Sequence, residues 1–282
     1  MKKGLLIILC LPLLTLAQQT YVPDDNFEAY LENNGMGNGI PNDSNVLTAN
    51  INAITSLDIG NENISNLTGL EDFTALVYLD CSYNNLISLD ISQNTAITDL
   101  NCRNNNLTSI DVSNNIALDY LQCMRNQLTS LDVSQNTVLT ELRCNTNLLT
   151  NLDVSNNTYL DTLVCSQNQL TSLDVSNNTA LLALGFGNAQ SGSGNGISIL
   201  DISANTALVI LDCVNNQLTS LDISNNTDLV KLYCLGNQLT SLDVSNNLAL
   251  TYLNCASNQF TSLDLSNNLA LTYLICNDNQ IS

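Results

Sequence analysis

Nine of the ten cysteines recur at a fixed interval, and this interval constrains the fold more than any other feature. The step is 21 residues throughout, except for 48 residues between Cys165 and Cys213. A step of 48 equals two repeats plus six residues, and Phe186 stands at the missing cysteine position. With Ile59 in the equivalent place before Cys81, eleven repeats can be counted. A unit this short cannot bury its own apolar side chains, so the repeats must stack as a solenoid.

Each repeat divides into two halves of similar pattern. "LTYLNCASNQ" and "FTSLDLSNNLA", at 250–270, both read apolar-x-x-Leu-x-apolar-x-x-Asn. Side chains alternate along a strand, so Leu253 and Cys255 point one way and Asn254 the other, while Asp264 points outward from the second half. The pattern predicts two three-residue strands per coil, and therefore two parallel sheets with the apolar residues between them.

This nested pattern resembles the bacterial leucine-rich repeats that alternate ten- and eleven-residue halves. The resemblance covers about residues 51–282, and "ISNLTGLEDFTALVYLDC" at 64–81 resembles a 22-residue internalin-type repeat. It implies an all-β leucine-rich-repeat solenoid of about eleven 21-residue coils. The Asn that ends each half is predicted to satisfy backbone groups at the corners. The cysteines, pointing inward in parallel, are predicted to stay free thiols.

The two ends of the chain differ from the repeats. Residues 1–17 have a basic start, a short apolar run and a final Ala17, which predicts a secretory signal peptide rather than a membrane span. Residues 18–50 are predicted to cap the first coil with a short helix, which Asp24 begins and Gly35 ends. The solenoid at 51–282 stops in mid-repeat, so we expect it to be C-terminally incomplete.

Composition excludes several classes of function. The formal net charge is −20 and there is no His. So acidic a chain cannot neutralise phosphates, and we expect no nucleic-acid partner and no membrane insertion of the mature chain. Without His, and with inward cysteines, we expect no catalytic residues, no metal ligands and no cofactor, hence no enzyme.

The outward positions of the second half hardly vary. Asp occupies the central position and Ser follows two residues later in nine coils. Two readings stay open: a solvated, solubilising face, or a surface that binds divalent cations weakly. The alternative function is accordingly a passive structural or divalent-cation-binding acidic solenoid with no specific macromolecular partner. The aspartate column is Asp90, Asp111, Asp132, Asp153, Asp174, Asp201, Asp222, Asp243 and Asp264.

The outward positions of the first half vary from coil to coil. Five of the nine tyrosines fall there, and every basic residue after the signal peptide lies there or on its rim. Tyr and Arg are enriched where proteins bind partners. We therefore predict a secreted or cell-surface module that binds a protein or glycan through this half. The candidate binding residues are Tyr78, Tyr120, Arg103, Arg125, Arg143, Lys231, Tyr233, Tyr252 and Tyr273.

Overall fold

A computed structural model describes residues 18–188 and 195–281. The predicted signal peptide lies outside these ranges, as does most of the glycine-rich insertion. Two helices, α1 (Asp25–Asn33) and α2 (Thr48–Ile51), and a 3-10 turn at Leu70–Asp72 precede the regular coils. The strands are β1 (Gln19–Tyr21), β2 (Asn45–Leu47), β3 (Ser56–Asp58), β4 (Tyr78–Asp80), β5 (Asp99–Asn101), β6 (Tyr120–Gln122), β7 (Glu141–Arg143), β8 (Thr162–Val164), β9 (Ala183–Gly185), β10 (Ile210–Asp212), β11 (Lys231–Tyr233), β12 (Tyr252–Asn254) and β13 (Tyr273–Ile275).

Strands β3 to β13 form one parallel sheet of eleven strands in sequence order, which confirms the eleven coils and the leucine-rich-repeat solenoid. Neighbouring strands pair at an offset of 21 residues, as between Tyr120 and Glu141. Each strand begins one residue earlier than the pattern suggested, at the residue before the buried leucine. The outward side chains of this sheet form the variable face.

The second predicted sheet is wrong, because the second halves form no strands in the described part of the chain. Their backbone groups bond to side chains and to turns within their own coil, such as the Asn115 amide to the Val112 carbonyl at 3.0 Å, and, among the described residues, not to the backbone of the second half of the next coil. The Ser113 amide donates to Asp111 Oδ1 at 2.9 Å within its own coil. The Val112 carbonyl accepts from Asn136 Nδ2 of the next coil at 3.0 Å. With these groups engaged, a second ladder of backbone hydrogen bonds cannot form.

The asparagine that follows each strand joins neighbouring coils, as predicted. Asn126 Nδ2 donates to the carbonyls of Cys102 at 3.0 Å and Cys123 at 3.1 Å. Its Oδ1 accepts from the Leu107 amide of the preceding coil at 3.0 Å. The same bonds recur along the sheet, so each coil fixes the turn of its neighbour. These residues form the asparagine column: Asn84, Asn105, Asn126, Asn147, Asn168, Asn195, Asn216, Asn237, Asn258 and Asn279.

Asn195 shows where the six extra residues enter. The 21-residue period places an asparagine at 189, but Asn195 makes the column's bonds, to Cys165 O at 3.0 Å and Phe186 O at 3.1 Å. The extra six are therefore 189–194. The protruding loop predicted there lies outside the described residues. The two described residues on either side of 189–194 are joined directly, because Asn188 Nδ2 donates to Asn195 O at 2.9 Å.

The predicted N-terminal cap is confirmed. Asp24 Oδ1 accepts the amides of Asn26 and Phe27, both at 3.1 Å, and so begins α1. Asp24 Oδ2 accepts the Ser65 amide and hydroxyl, each at 2.8 Å, which fastens the helix to the solenoid. Burial acts to raise the pKa of Asp24, but these hydrogen bonds outweigh it and the pKa lies below its ordinary value. Gly35 follows the helix at φ +73°, as a stop requires.

The cysteines line the core beneath the sheet as free thiols. Cys81 to Cys255 are fully buried, whereas Cys276 is half-buried. Burial raises the pKa of the Cys123 and Cys165 thiols to about 12, which leaves almost no reactive thiolate at neutral pH. Phe186 replaces one cysteine in this column and is equally buried.

Thiol labelling should follow this burial. In residues 18–282, which lack Cys10, one thiol of the native protein, Cys276, should react with a disulfide reagent within minutes at pH 8. The other eight should react only as the protein unfolds, and nine in all should be found after denaturation without reductant. A total of one or none would mean that the cysteines are paired as disulfides.

Candidate functional site

The aspartate column has a structural task in every coil. Asp132 Oδ1 accepts the Ser134 amide at 2.9 Å, and the same bond recurs in all nine coils at 2.9–3.0 Å. The amide and hydroxyl of Ser134 hold the pKa of Asp132 below its ordinary value. The repeated Asp-x-Ser therefore keeps the second half folded, which explains why these positions do not vary.

Acid should consequently destabilise the fold. Each aspartate of the column has a lowered pKa in the folded chain, so its stabilising effect is present above about pH 4 and is lost as pH falls through the folded value. Thermal unfolding followed by circular dichroism should show a falling melting temperature below that pH. A triple variant, Asp132→Asn with Asp153→Asn and Asp174→Asn, keeps the acceptor oxygens and should show a shallower fall. A melting temperature that rises in acid would mean that charge repulsion along the column dominates.

The described residues contain no group of three or more His, Cys, Asp or Glu side chains arranged to hold a metal ion. Within the same residues no helix is long and apolar enough to cross a membrane. Hydrogen bonding within its own coil is the role that the structure shows for each residue of the aspartate column.

The variable face carries the predicted binding residues in two groups. Seven lie on strands; Arg103 and Arg125 lie two and three residues past β5 and β6, on the rim. Strands β8 to β10 separate the groups and bear outward side chains that are small or apolar, such as Thr162, Val164 and Ala183, apart from Asp212 of β10. Four strand steps, about 20 Å, divide β7 from β11. The N-terminal group is Tyr78, Arg103, Tyr120, Arg125 and Arg143, and the C-terminal group is Lys231, Tyr233, Tyr252 and Tyr273.

The tyrosines of the C-terminal group pack their rings against one another. The ring centres of Tyr233 and Tyr252 lie 4.7 Å apart, as do those of Tyr252 and Tyr273, whose planes differ by 8°. Burial raises the pKa of Tyr252, and its two neighbours add to the shift. Both faces of Tyr252 are therefore covered. These three residues form the tyrosine stack.

The N-terminal group is arranged differently. Tyr78 and Tyr120 occupy the same strand position two coils apart, with Asp99 between them. They line a shallow depression together with Asp99, Leu100, Asn101 and Gln122. Arg143 Nε donates to Glu141 Oε1 at 2.6 Å on the strand next to Tyr120. This group thus combines a depression with aromatic and acidic side chains and a cationic side chain on a neighbouring strand.

Known proteins were compared with the chain. No family model matches it. Over 75 residues, 27% of this chain, it is 41% identical to internalin J of Listeria monocytogenes serotype 4b, and this stretch is 8% of that protein. The solved functional domain of internalin J from Listeria monocytogenes, described as including a cysteine ladder, is 37% identical with a TM-score of 0.74; the match covers 93% of this chain and 62% of that one.

The chain is similar to the bacterial internalin-like leucine-rich-repeat proteins. A second internalin of Listeria monocytogenes, 23% identical with a TM-score of 0.83, covers 93% of this chain and 78% of that structure, and supports the fold alone. The internalin-like chain spans less than two thirds of the internalin J domain. The column of buried cysteines is observed in the structure of this chain itself and does not depend on its likeness to internalin J.

Two residues of the candidate site, Tyr83 and Asp99, were not among the binding residues predicted from the sequence. Tyr83 lies under Arg103, with the guanidinium carbon 5.2 Å from the ring centre, so it belongs to the N-terminal group. It stands two residues past its cysteine, as Arg125 does, and that shared position was the available signal. Asp99 lies between Tyr78 and Tyr120 at the same strand position, and the 21-residue period that separates these three residues was the available signal.

Proposed function

We propose that this chain is a secreted or cell-surface binding module that recognises a protein or glycan partner through the variable face, and that it is not an enzyme. The observation that carries the proposal is the contrast between the two halves of each coil. Every aspartate of the column makes the same hydrogen bond, whereas the outward residues of the strands differ from coil to coil. Side chains without a shared structural task are free to meet a partner. Export through residues 1–17 is part of this proposal.

The accessibility of the N-terminal group supports this location. Tyr78 and Tyr120 are about two fifths exposed, at 38% and 41%. The arginines stand on an otherwise strongly acidic chain, so they supply rare positive charge that can orient a partner.

Binding should depend on the variable face and not on the aspartate column. Residues 18–282, fluorescently labelled, would be applied to printed arrays of glycans and of cell-surface proteins. The pair Tyr120→Ala with Arg143→Ala should weaken binding to the recognised spots by at least about tenfold. The matched pair Asp132→Asn with Asp153→Asn should bind as the unaltered chain does. The reverse result would move the site to the aspartate column and favour the acidic, cation-binding solenoid.

A further inference from the structure

The spacing of tyrosines on the variable face distinguishes two kinds of aromatic site. In the tyrosine stack, rings on successive coils lie 4.7 Å apart and leave no room between them. Tyr78 and Tyr120 share the strand position of Tyr252 and Tyr273 but are separated by a coil that carries Asp99. Two coil steps place their rings about 9 Å apart. The gap between Tyr78 and Tyr120, with Asp99 at its base, is the tyrosine slot.

The width of the tyrosine slot selects its occupant. Carbon atoms in contact lie about 3.5–4.0 Å apart, so a planar ring between two aromatic walls needs only about 7–8 Å. A puckered, saturated ring is thicker and fits a gap of about 9 Å better than an aromatic side chain does. The electron-rich tyrosine faces attract C–H groups, which such a ring presents on both sides.

The base of the tyrosine slot has the chemistry that binds neighbouring hydroxyls. Asp99 Oδ2 accepts the Thr98 hydroxyl at 2.5 Å, which orients the carboxylate. Within the described residues, Oδ1 accepts no hydrogen bond. The paired residues Asn101 and Gln122 lie next to Asp99 in the following row of the sheet; their amide nitrogens donate to Asp80 Oδ2 at 2.6 Å and Glu141 Oε1 at 3.3 Å. An ordered carboxylate beside two amides can accept a hydrogen bond from one hydroxyl at the edge of a sugar ring, while an amide donates to the neighbouring hydroxyl.

We infer that the tyrosine slot binds one ring of a neutral glycan whose ring substituents are all equatorial, such as a β-1,4-linked glucose or xylose chain; the inference rests on the variable face being the binding surface. Equatorial substituents keep both ring faces free as C–H surface for Tyr78 and Tyr120, and direct the hydroxyls towards Asp99. The carboxylate at the base and the net charge of −20 disfavour a negatively charged sugar.

Filling the slot is the decisive experiment. Asp99→Tyr places a third ring between Tyr78 and Tyr120, as Tyr252 lies between its neighbours. Binding of cellohexaose and xylohexaose to residues 18–282 would be measured by isothermal titration calorimetry. Asp99→Tyr should weaken binding at least about tenfold, as should Tyr120→Ala, which tests the slot again if the first variant folds poorly. Ala183→Tyr adds the same side chain at the same strand position three coils beyond Tyr120, too far to form a slot with it, and Tyr159→Ala removes an exposed tyrosine outside the variable face; both should bind as the unaltered chain does.

Three results would overturn the inference. The unaltered chain binds neither hexasaccharide, or Asp99→Tyr and Tyr120→Ala leave binding unchanged, or Tyr159→Ala abolishes it. A separate outcome tests the proposed function. If neither sugar binds, yet Tyr120→Ala with Arg143→Ala still loses a protein spot on the array, the variable face stands as the site and its occupant is a polypeptide.

Discussion

Replacing Asn126 with Ala should lower the free energy of unfolding by about 3–5 kcal/mol. The change removes both donors and the acceptor of one side chain. It leaves the amide of Leu107 without a partner inside the core, and it removes one of the two asparagine bonds to each carbonyl, so that Cys102 O keeps only Asn105 and Cys123 O keeps only Asn147. A buried group that loses its partner costs about 1–3 kcal/mol. Urea denaturation followed by circular dichroism measures the loss.

The neighbouring residue provides a control for Asn126→Ala. Gln127 is exposed, and its side chain makes one long contact of 3.5 Å with Asn106. Gln127→Ala should change the free energy of unfolding by less than about 0.5 kcal/mol. Similar effects for the two substitutions would show that the asparagine column does not hold the coils together.

Phe186→Cys should destabilise the chain by about 2–4 kcal/mol, although it restores the residue found in the other coils. Phe186 is fully buried, and a smaller side chain would leave a cavity because the surrounding core relaxes only partly. A repeat protein is usually stabilised by its own most frequent residue, so the two expectations have opposite signs. Chemical denaturation decides between them.

A graded series controls the Phe186 experiment. Phe186→Leu should cost less than Phe186→Cys, and Phe186→Ala should cost more, because the loss grows with the volume removed. If Phe186→Cys were neutral or stabilising, the coil would close around a small residue, and the core there would not be adapted to phenylalanine.

Sequence reasoning succeeded for the repeat period and for the choice of buried side chains. The period of Cys81 to Cys276 predicted eleven coils, and the alternation around each leucine predicted which side chains are buried. The helix that Asp24 begins was equally readable, because a cap and a stop are local signals. The antiparallel pairing of β1 with β2 was not predicted, since three-residue strands of ordinary composition carry no pairing signal.

The second sheet was mispredicted for a physical reason that the residues alone do not display. "LNC" and "LDV" have the same apolar alternation, so both read as strands. Only the folded coil shows that Asp111 takes the Ser113 amide and that Asn136 takes the Val112 carbonyl. Competition between side chains and backbone for the same hydrogen bonds decided which half became a sheet.

The amino-acid sequence by itself determined the number of coils, the buried columns and the contrast between an invariant and a variable half. It could do so because residues one period apart occupy the same position in successive coils. The tertiary structure alone decided how residues from different coils combine. Tyr233 stands at a different strand position from Tyr252 and Tyr273, yet the three rings form a closed stack, whereas Asp99 separates Tyr78 from Tyr120 at one shared position. That difference is one of distance across strands about 4.8 Å apart, and it exists only once the coils are stacked.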